Sequence, residues 1–335
     1  MKKSAGLVAV VLMAAALLGS KAAVAQDLPV IKIEAVKGSV GAVPLMVMVE
    51  NGLDKKHGFK AQIDYLPLLS GFQSFLMGQY DISNDSDAIH AAQARAEGFD
   101  VHAFYPYGNL YMGIVVSGKS TAKTVADLKG KRVGHFGLQT STTTYLRRLV
   151  QKTDGFDLTT GFNLQQVGPS ALVSLLEANN IDAMLNFEPL VSTAMVATKG
   201  RYILQATEGF KAANDGFSPW FGLFVASNKW LTANPKLAYA FRDAIDDAIG
   251  MIKSSRYEVL KDPRIASQLG VSSPEVLDQL VKNGAQYDYF TNEWTPALVA
   301  KGNEFLQQVA KEGVLLTKVP NRTLVRLEDV VGPRR

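Results

Sequence analysis

Gly113-Ile-Val-Val-Ser-Gly118-Lys119-Ser120 fits the G-x-x-x-x-G-K-[ST] spacing with which backbone amides cradle phosphate. That chemistry needs a loop between a strand and a helix. Ile114, Val115 and Val116 instead read as the end of a strand, so the match is a coincidence of letters. Covalent chemistry finds little support either. The chain has no cysteine, which removes thiol nucleophiles, iron–sulfur clusters and thiolate zinc sites. It has no serine nucleophile elbow, no H-E-x-x-H and no paired carboxylates at a working spacing. Of His57, His90, His102 and His135, only His135, at a strand end, is expected near a cleft. No catalytic residue, cofactor or metal site is therefore expected.

Binding chemistry is better represented. Thr140, Ser141 and Thr142 open a helix that runs to about Lys152, and hydroxyls with free amides at a helix N-terminus suit carboxylate, sulfonate or phosphate. Thr140 or Ser141 can cap that helix and still leave amides for a ligand. Ser39, Val40 and Gly41 follow the first strand, and Ser70-Gly71 opens another helix; both read as ligand loops or as ordinary turns. Asn84 and Asp85 follow a strand and line the same rim, where Asp85 either meets a ligand or caps the helix beginning near Asp87. Aromatic residues gather at strand ends: Tyr107, Phe136, Phe187 and Trp220 are candidate ligand walls, which favours a planar ligand. No arginine falls in these loops, so an anion would be met by amides and the helix dipole.

The elements that must carry these loops alternate. Strands are expected over Val30–Val36, Phe59–Leu66, Tyr80–Ser83, Val101–Tyr105 and Leu110–Val116, with helices Pro44–Glu50 and Phe72–Met77 between them. The pattern restarts after Lys119: Thr124 and Asp127 form a capping box, then strand Arg132–Phe136, strand Asn163–Val167, helix Ser170–Asn179 and strand Ile181–Leu185 follow. Beyond Trp220–Ala226 the chain reads as mostly helical. Phe75–Ile82 echoes Leu176–Ala183 at an offset of 101: a helix ends at a residue tolerant of left-handed geometry, Gly78 or Asn179, and an Asp enters a strand. Alternation of this length is an α/β fold with mainly parallel sheets.

The first 25 residues read as an export signal: Lys2 and Lys3, an apolar run from Ala5 to Leu18, and Ala23-Val-Ala25 before a cleavage point after Ala25. The apolar run is too short for a comfortable membrane span, and without cysteine there is no lipobox. Removing Lys2, Lys3 and Lys21 from 35 basic residues leaves 32 against 31 acidic, a net of +1. Nucleic acid thereby loses its support as a partner, and export takes the chain away from the ATP pool that nucleotide-driven chemistry needs.

The chain resembles the periplasmic substrate-binding proteins of ABC importers in the nitrate, sulfonate, taurine and thiamine-precursor group. The resemblance rests on Gly41-Ala-Val-Pro44, Glu50-Asn-Gly-Leu53, His57-Gly-Phe59, Leu76-Met-Gly-Gln-Tyr-Asp-Ile82, Val125-Ala-Asp-Leu-Lys-Gly-Lys-Arg-Val-Gly134, Asp182-Ala183 with Phe187-Glu-Pro189, and Trp230-Leu231 with Asn234-Pro235. It implies two α/β lobes with a ligand cleft between them, one over 26–116 plus 226–335 and the other over 117–225. It adds Glu188 as a further candidate, either a ligand contact or a hinge acceptor between lobes. It implies a soluble, monomeric periplasmic protein, without catalysis, that captures a small organic anion by hinge closure and passes it to an ABC permease. Sensing, or delivery to another periplasmic partner, is the alternative. An enzyme on the same scaffold is the remote one, because the cysteine-rich element of pyrimidine-forming relatives is absent.

Overall fold

The computed structural model describes residues 27–67, 70–312 and 318–334, so the expected export signal lies outside the described residues. Ten strands are seen among them: β1 (Val30–Val36), β2 (Lys60–Leu66), β3 (Ile82–Ser83), β4 (Val101–Gly108), β5 (Met112–Val116), β6 (Arg132–His135), β7 (Asn163–Gln166), β8 (Ala183–Phe187), β9 (Arg201–Gln205) and β10 (Gly222–Ser227). They form two five-stranded sheets flanked by helices, in the orders β2-β1-β3-β10-β4 and β7-β6-β8-β5-β9.

The two orders are one plan used twice. β1 and β6 are each flanked by parallel strands, and the fourth position of each sheet holds one antiparallel strand. The echo in the sequence marks the same joint in both. Gly78 and Asn179 take φ of 80° and 56°. The Asp that follows then takes a hydrogen bond from the N-terminal part of the second strand of its sheet: Asp81 accepts from the Lys32 N–H at 2.9 Å, and Asp182 from the Arg132 N–H at 2.9 Å.

Each reversed strand is supplied from across the molecule. β5 follows β4 of the first sheet but pairs with β8 and β9 of the second, and β10 follows the second sheet but pairs with β3 and β4 of the first. The chain therefore crosses before Met112 and again before Gly222, earlier than the expected boundaries at 116/117 and 225/226. The expected boundaries follow the ends of apolar strands, and an apolar pattern does not tell which sheet a strand joins.

Strand β5 also explains the phosphate-loop mimic. A Cβ on Gly113 would collide with the Leu204 carbonyl of β9 and stand 2.7 Å from the Tyr202 ring, and one on Gly118 would collide with the Lys199 carbonyl. These glycines let backbones pack. Gly113→Ala is expected to cost about 2–3 kcal/mol, because a backbone carbonyl cannot turn aside as a side chain can; an unchanged urea midpoint would contradict this.

Helices cover the sheets as their patterns require. Val43–Glu50 is buried from Val43 to Met48, so it runs through the interior with Pro44 in its first turn. Pro235–Ser254 buries Phe241, Ile245, Ile249 and Ile252 as one stripe. Helix Pro296–Lys311 does more than cover. Its Phe305 stacks on Tyr145 at 5.8 Å, and Leu306 and Val309 share an apolar cluster with Val101 and Val225 of the first sheet and Ile114 and Val116 of the second. No described helix is long and apolar enough to cross a membrane.

Candidate ligand-binding site

A cavity of about 180 Å³ lies where the carboxyl ends of β1, β3, β6 and β8 converge, the place where open α/β sheets present loops rather than side chains of the sheet face. Its first wall comes from the first sheet: Val36 and Ser39 after β1, Asn84–Asp87 after β3, His90, and Tyr107 of β4. Its second comes from Phe136, Gln139–Thr142 and Phe187. Tyr111 and Phe221, next to the two crossings, close it.

The second wall is a helix N-terminus. Thr140 is the cap of helix Ser141–Asp154, its side chain accepting from the Thr143 N–H, while Thr140 and Thr143 both donate to the Gly137 carbonyl at 2.9 and 2.7 Å. Capping by Thr140 leaves Ser141 and Thr142, the first two residues of the helix, buried at the cavity with amides that no helical carbonyl can reach. Phe136 and Phe187 stand beside them edge to face at 5.4 Å.

The first wall is rich in acceptors. Asp87 caps helix Ala88–Ala96, accepting from the Ile89 and His90 N–H groups at 2.7 and 3.1 Å, and its other oxygen lies 3.3 Å from His90 Nδ1. Capping thus falls to Asp87, and Asp85 lines the cavity. Asn84 donates its amide to the Gly41 carbonyl at 3.2 Å, and its backbone carbonyl accepts from Tyr107 Oη at 2.6 Å. Burial holds the Tyr107 and Tyr111 hydroxyls far above their ordinary pKa, so both remain protonated donors. Behind the wall Glu34 accepts from the Ser83 hydroxyl and the Asp85 N–H, and burial lifts its carboxyl to about 7.

Of the residues singled out from sequence, Ser39, Asn84, Asp85, Tyr107, Phe136, Thr140, Ser141, Thr142 and Phe187 all meet at this cavity. The others do not line it. Val40 and Gly41 are buried beneath, where Gly41 makes room for tyrosines: a Cβ there would stand 2.6 Å from Tyr111 Oη. Ser70 is exposed and donates to the Pro67 carbonyl, and Gly71 sits under the Glu34 carboxyl. Trp220 turns the other way, against Trp294 at 4.8 Å and over Gly302, because its large ring fills the gap beside helix Pro296–Lys311. Glu188 is fully buried among protein donors, Tyr289, Asn283 and Tyr202 on one oxygen and the Ser192 N–H on the other. Its hydrogen bonds join the end of β8 to Asn283 and Tyr289, far along the chain.

Sequence reasoning passes over His90, Tyr111 and Gln139, and of the neighbouring aromatics Trp220 and Phe221 it favours Trp220, whereas Phe221 lines the cavity. His135, the histidine expected near a cleft, lies buried behind Gly137, whose N–H it accepts at 3.1 Å. His90 is read as a helix residue by its neighbours, and only the fold turns it to the cavity. Among the described residues no Lys or Arg lines the cavity. The nearest arginines on helix Ser141–Asp154 are engaged elsewhere, Arg147 by Asp157 and Arg148 by Glu312 and Gln308. No cluster of three metal-ligating side chains occurs among the described residues.

Comparison with curated proteins finds no match. Among solved structures the chain is similar to the periplasmic aliphatic sulphonate binding protein SsuA from Escherichia coli, with a TM-score of 0.70 and 19% identity over 90% of this chain and 98% of that one. It is similar to the periplasmic nitrate-binding protein NrtA from Synechocystis PCC 6803, with a TM-score of 0.65 and 15% identity over 86% of this chain and 82% of that one. The desulfurization enzyme DSZB shares the fold too, with a TM-score of 0.62 and 15% identity over 90% and 98%. At such identities the likeness is one of fold, the two-lobed fold of periplasmic binding proteins. A family model described as NMT1/THI5 like matches residues 55–255, more than half of the chain, and the protein belongs to that family.

Proposed function

We propose that the protein is a periplasmic substrate-binding protein, exported and cleaved after Ala25, that captures a small organic anion with a planar ring and hands it to an ABC permease. The observation that carries this reading is the cavity itself: aromatic walls with the first turn of helix Ser141–Asp154 between them. The amides of that turn favour an anionic group, and the rings favour a flat body. The sulphonate and nitrate named for two of the similar structures are anions as well. The lobes then divide at the two crossings, before Met112 and before Gly222, and closure bends the chain there.

Native mass spectrometry of the protein purified gently from the cells that export it tests this. A discrete added mass that disappears on unfolding is expected. Ser141→Ala combined with Thr142→Ala should weaken retention about tenfold, the scale of one or two hydrogen bonds to charge, with little loss of stability because Thr140 still caps the helix. Undiminished retention in that double variant would remove the Ser141 and Thr142 hydroxyls from the site and leave the turn's amides as its only donors there.

A further inference from the structure

The two walls of the cavity have opposite polarity. On the second wall the Ser141 and Thr142 amides are donors. On the first, the Oδ1 of Asn84 is buried with no hydrogen-bond partner, although Asn84 is only 1% exposed and lines the cavity. The Nδ2 of the same side chain is spent on Gly41, so the amide is held with its acceptor uncommitted. Asp85 and Asp87 add two carboxylates to this wall, and among the described residues His90 is its one basic side chain and no Lys or Arg lines the cavity. One layer behind, Glu34 Oε2 is a second buried acceptor without a partner.

A buried acceptor left unpaired costs roughly 1–3 kcal/mol, which a ligand donor would recover. A simple anion cannot do so. It would leave Asn84 Oδ1 unpaired and set its own charge against Asp85 and Asp87. We propose that the ligand carries an amino nitrogen, as N–H donor, on the edge facing Asn84, opposite the acidic group that meets the helix terminus. This rests on the capture of a planar anion proposed above and narrows it to ring compounds bearing both groups, with Asn84 the residue that selects the amino end.

The test compares 4-(aminomethyl)benzoate with 4-methylbenzoate, which differ by one amino group, in titration calorimetry of the protein refolded from guanidinium to shed any retained ligand. The amino compound should bind at least about tenfold more tightly, and Asn84→Leu should erase most of that preference while leaving 4-methylbenzoate within about threefold. Equal or reversed affinities for the native protein would overturn the amino edge and leave the planar-anion reading intact. Failure of both compounds to bind at about 10 mM would overturn the two together. A preference that survives in Asn84→Leu would overturn the role of this wall. Should Asn84→Leu fail to fold, Asn84→Ala serves in its place, with the same loss of preference expected and an undiminished preference overturning the role of Asn84.

Discussion

Glu188→Ala is expected to lower the unfolding free energy by about 3–5 kcal/mol, the scale seen when one partner of a buried charged network is removed. The carboxylate ends β8 and accepts from Tyr289, from Asn283 at 3.1 Å, from Tyr202 at 3.4 Å and from the Ser192 N–H at 2.9 Å. Desolvation raises its pKa, and the hydrogen bonds from Tyr289, Ser192 and Asn283 oppose that rise. Truncation returns the cost of burying the charge but leaves those donors without an acceptor, each worth about 1–3 kcal/mol when stranded. Two of them belong to a segment tied to the first sheet: Asn109 donates to the Tyr289 carbonyl at 2.9 Å and Thr291 to the Tyr107 carbonyl at 3.2 Å. Glu188 therefore fastens the end of β8 to the segment that hydrogen-bonds to the end of β4. Glu188→Gln, which keeps an acceptor, should lose far less. Urea unfolding of the two variants decides the matter, and a loss below about 1 kcal/mol for the alanine variant would show that the donors find other partners.

How legible was this in the chain? The local grammar was plain. Residues tolerant of left-handed geometry at Gly78 and Asn179, the capping box of Thr124 and Asp127, and the Thr140 cap all formed as their types require. What the grammar could not carry was choice between adjacent residues. Trp220 and Phe221 are neighbours at the entry to β10, and neighbours on extended chain face opposite ways. The sequence offers no reason to prefer Phe221, yet Phe221 meets Tyr111 at 5.1 Å beside the cavity while Trp220 packs on Trp294. Asp85 and Asp87 pose the same question two residues apart, and only the start of helix Ala88–Ala96 settles which of them caps. Glu188 was open between ligand and hinge because both need an acceptor at a strand end; its partners, Asn283 and Tyr289, lie about a hundred residues away, beyond any local pattern.

Glu34→Gln is expected to stabilise the protein above neutral pH by up to about 3 kcal/mol and to remove most of one carboxyl's pH dependence. Glu34 sits on β1 with no exposed surface, and burial raises its pKa from 4.5 to about 7. A folded pKa above the unfolded one means that the native state holds the proton more tightly. The stability this group contributes is then complete below about pH 4.5 and is lost as pH rises through about 7. Glutamine keeps an acceptor for the Ser83 hydroxyl and the Asp85 N–H but never ionises, so its curve should stay flat across that window. Urea unfolding of both proteins at about pH 5 and about pH 8 gives the double difference directly, and a value near zero would mean that the carboxyl is solvated in the native state. The position is instructive for the cavity as well. Glu34 braces Ser83 and Asp85 from behind, and Gly71 carries no side chain because a Cβ would collide with the carboxyl. A charge that weakens the fold at neutral pH is thus built into the support of the acceptor wall, and a cationic or N–H-bearing ligand at that wall would offset part of its cost.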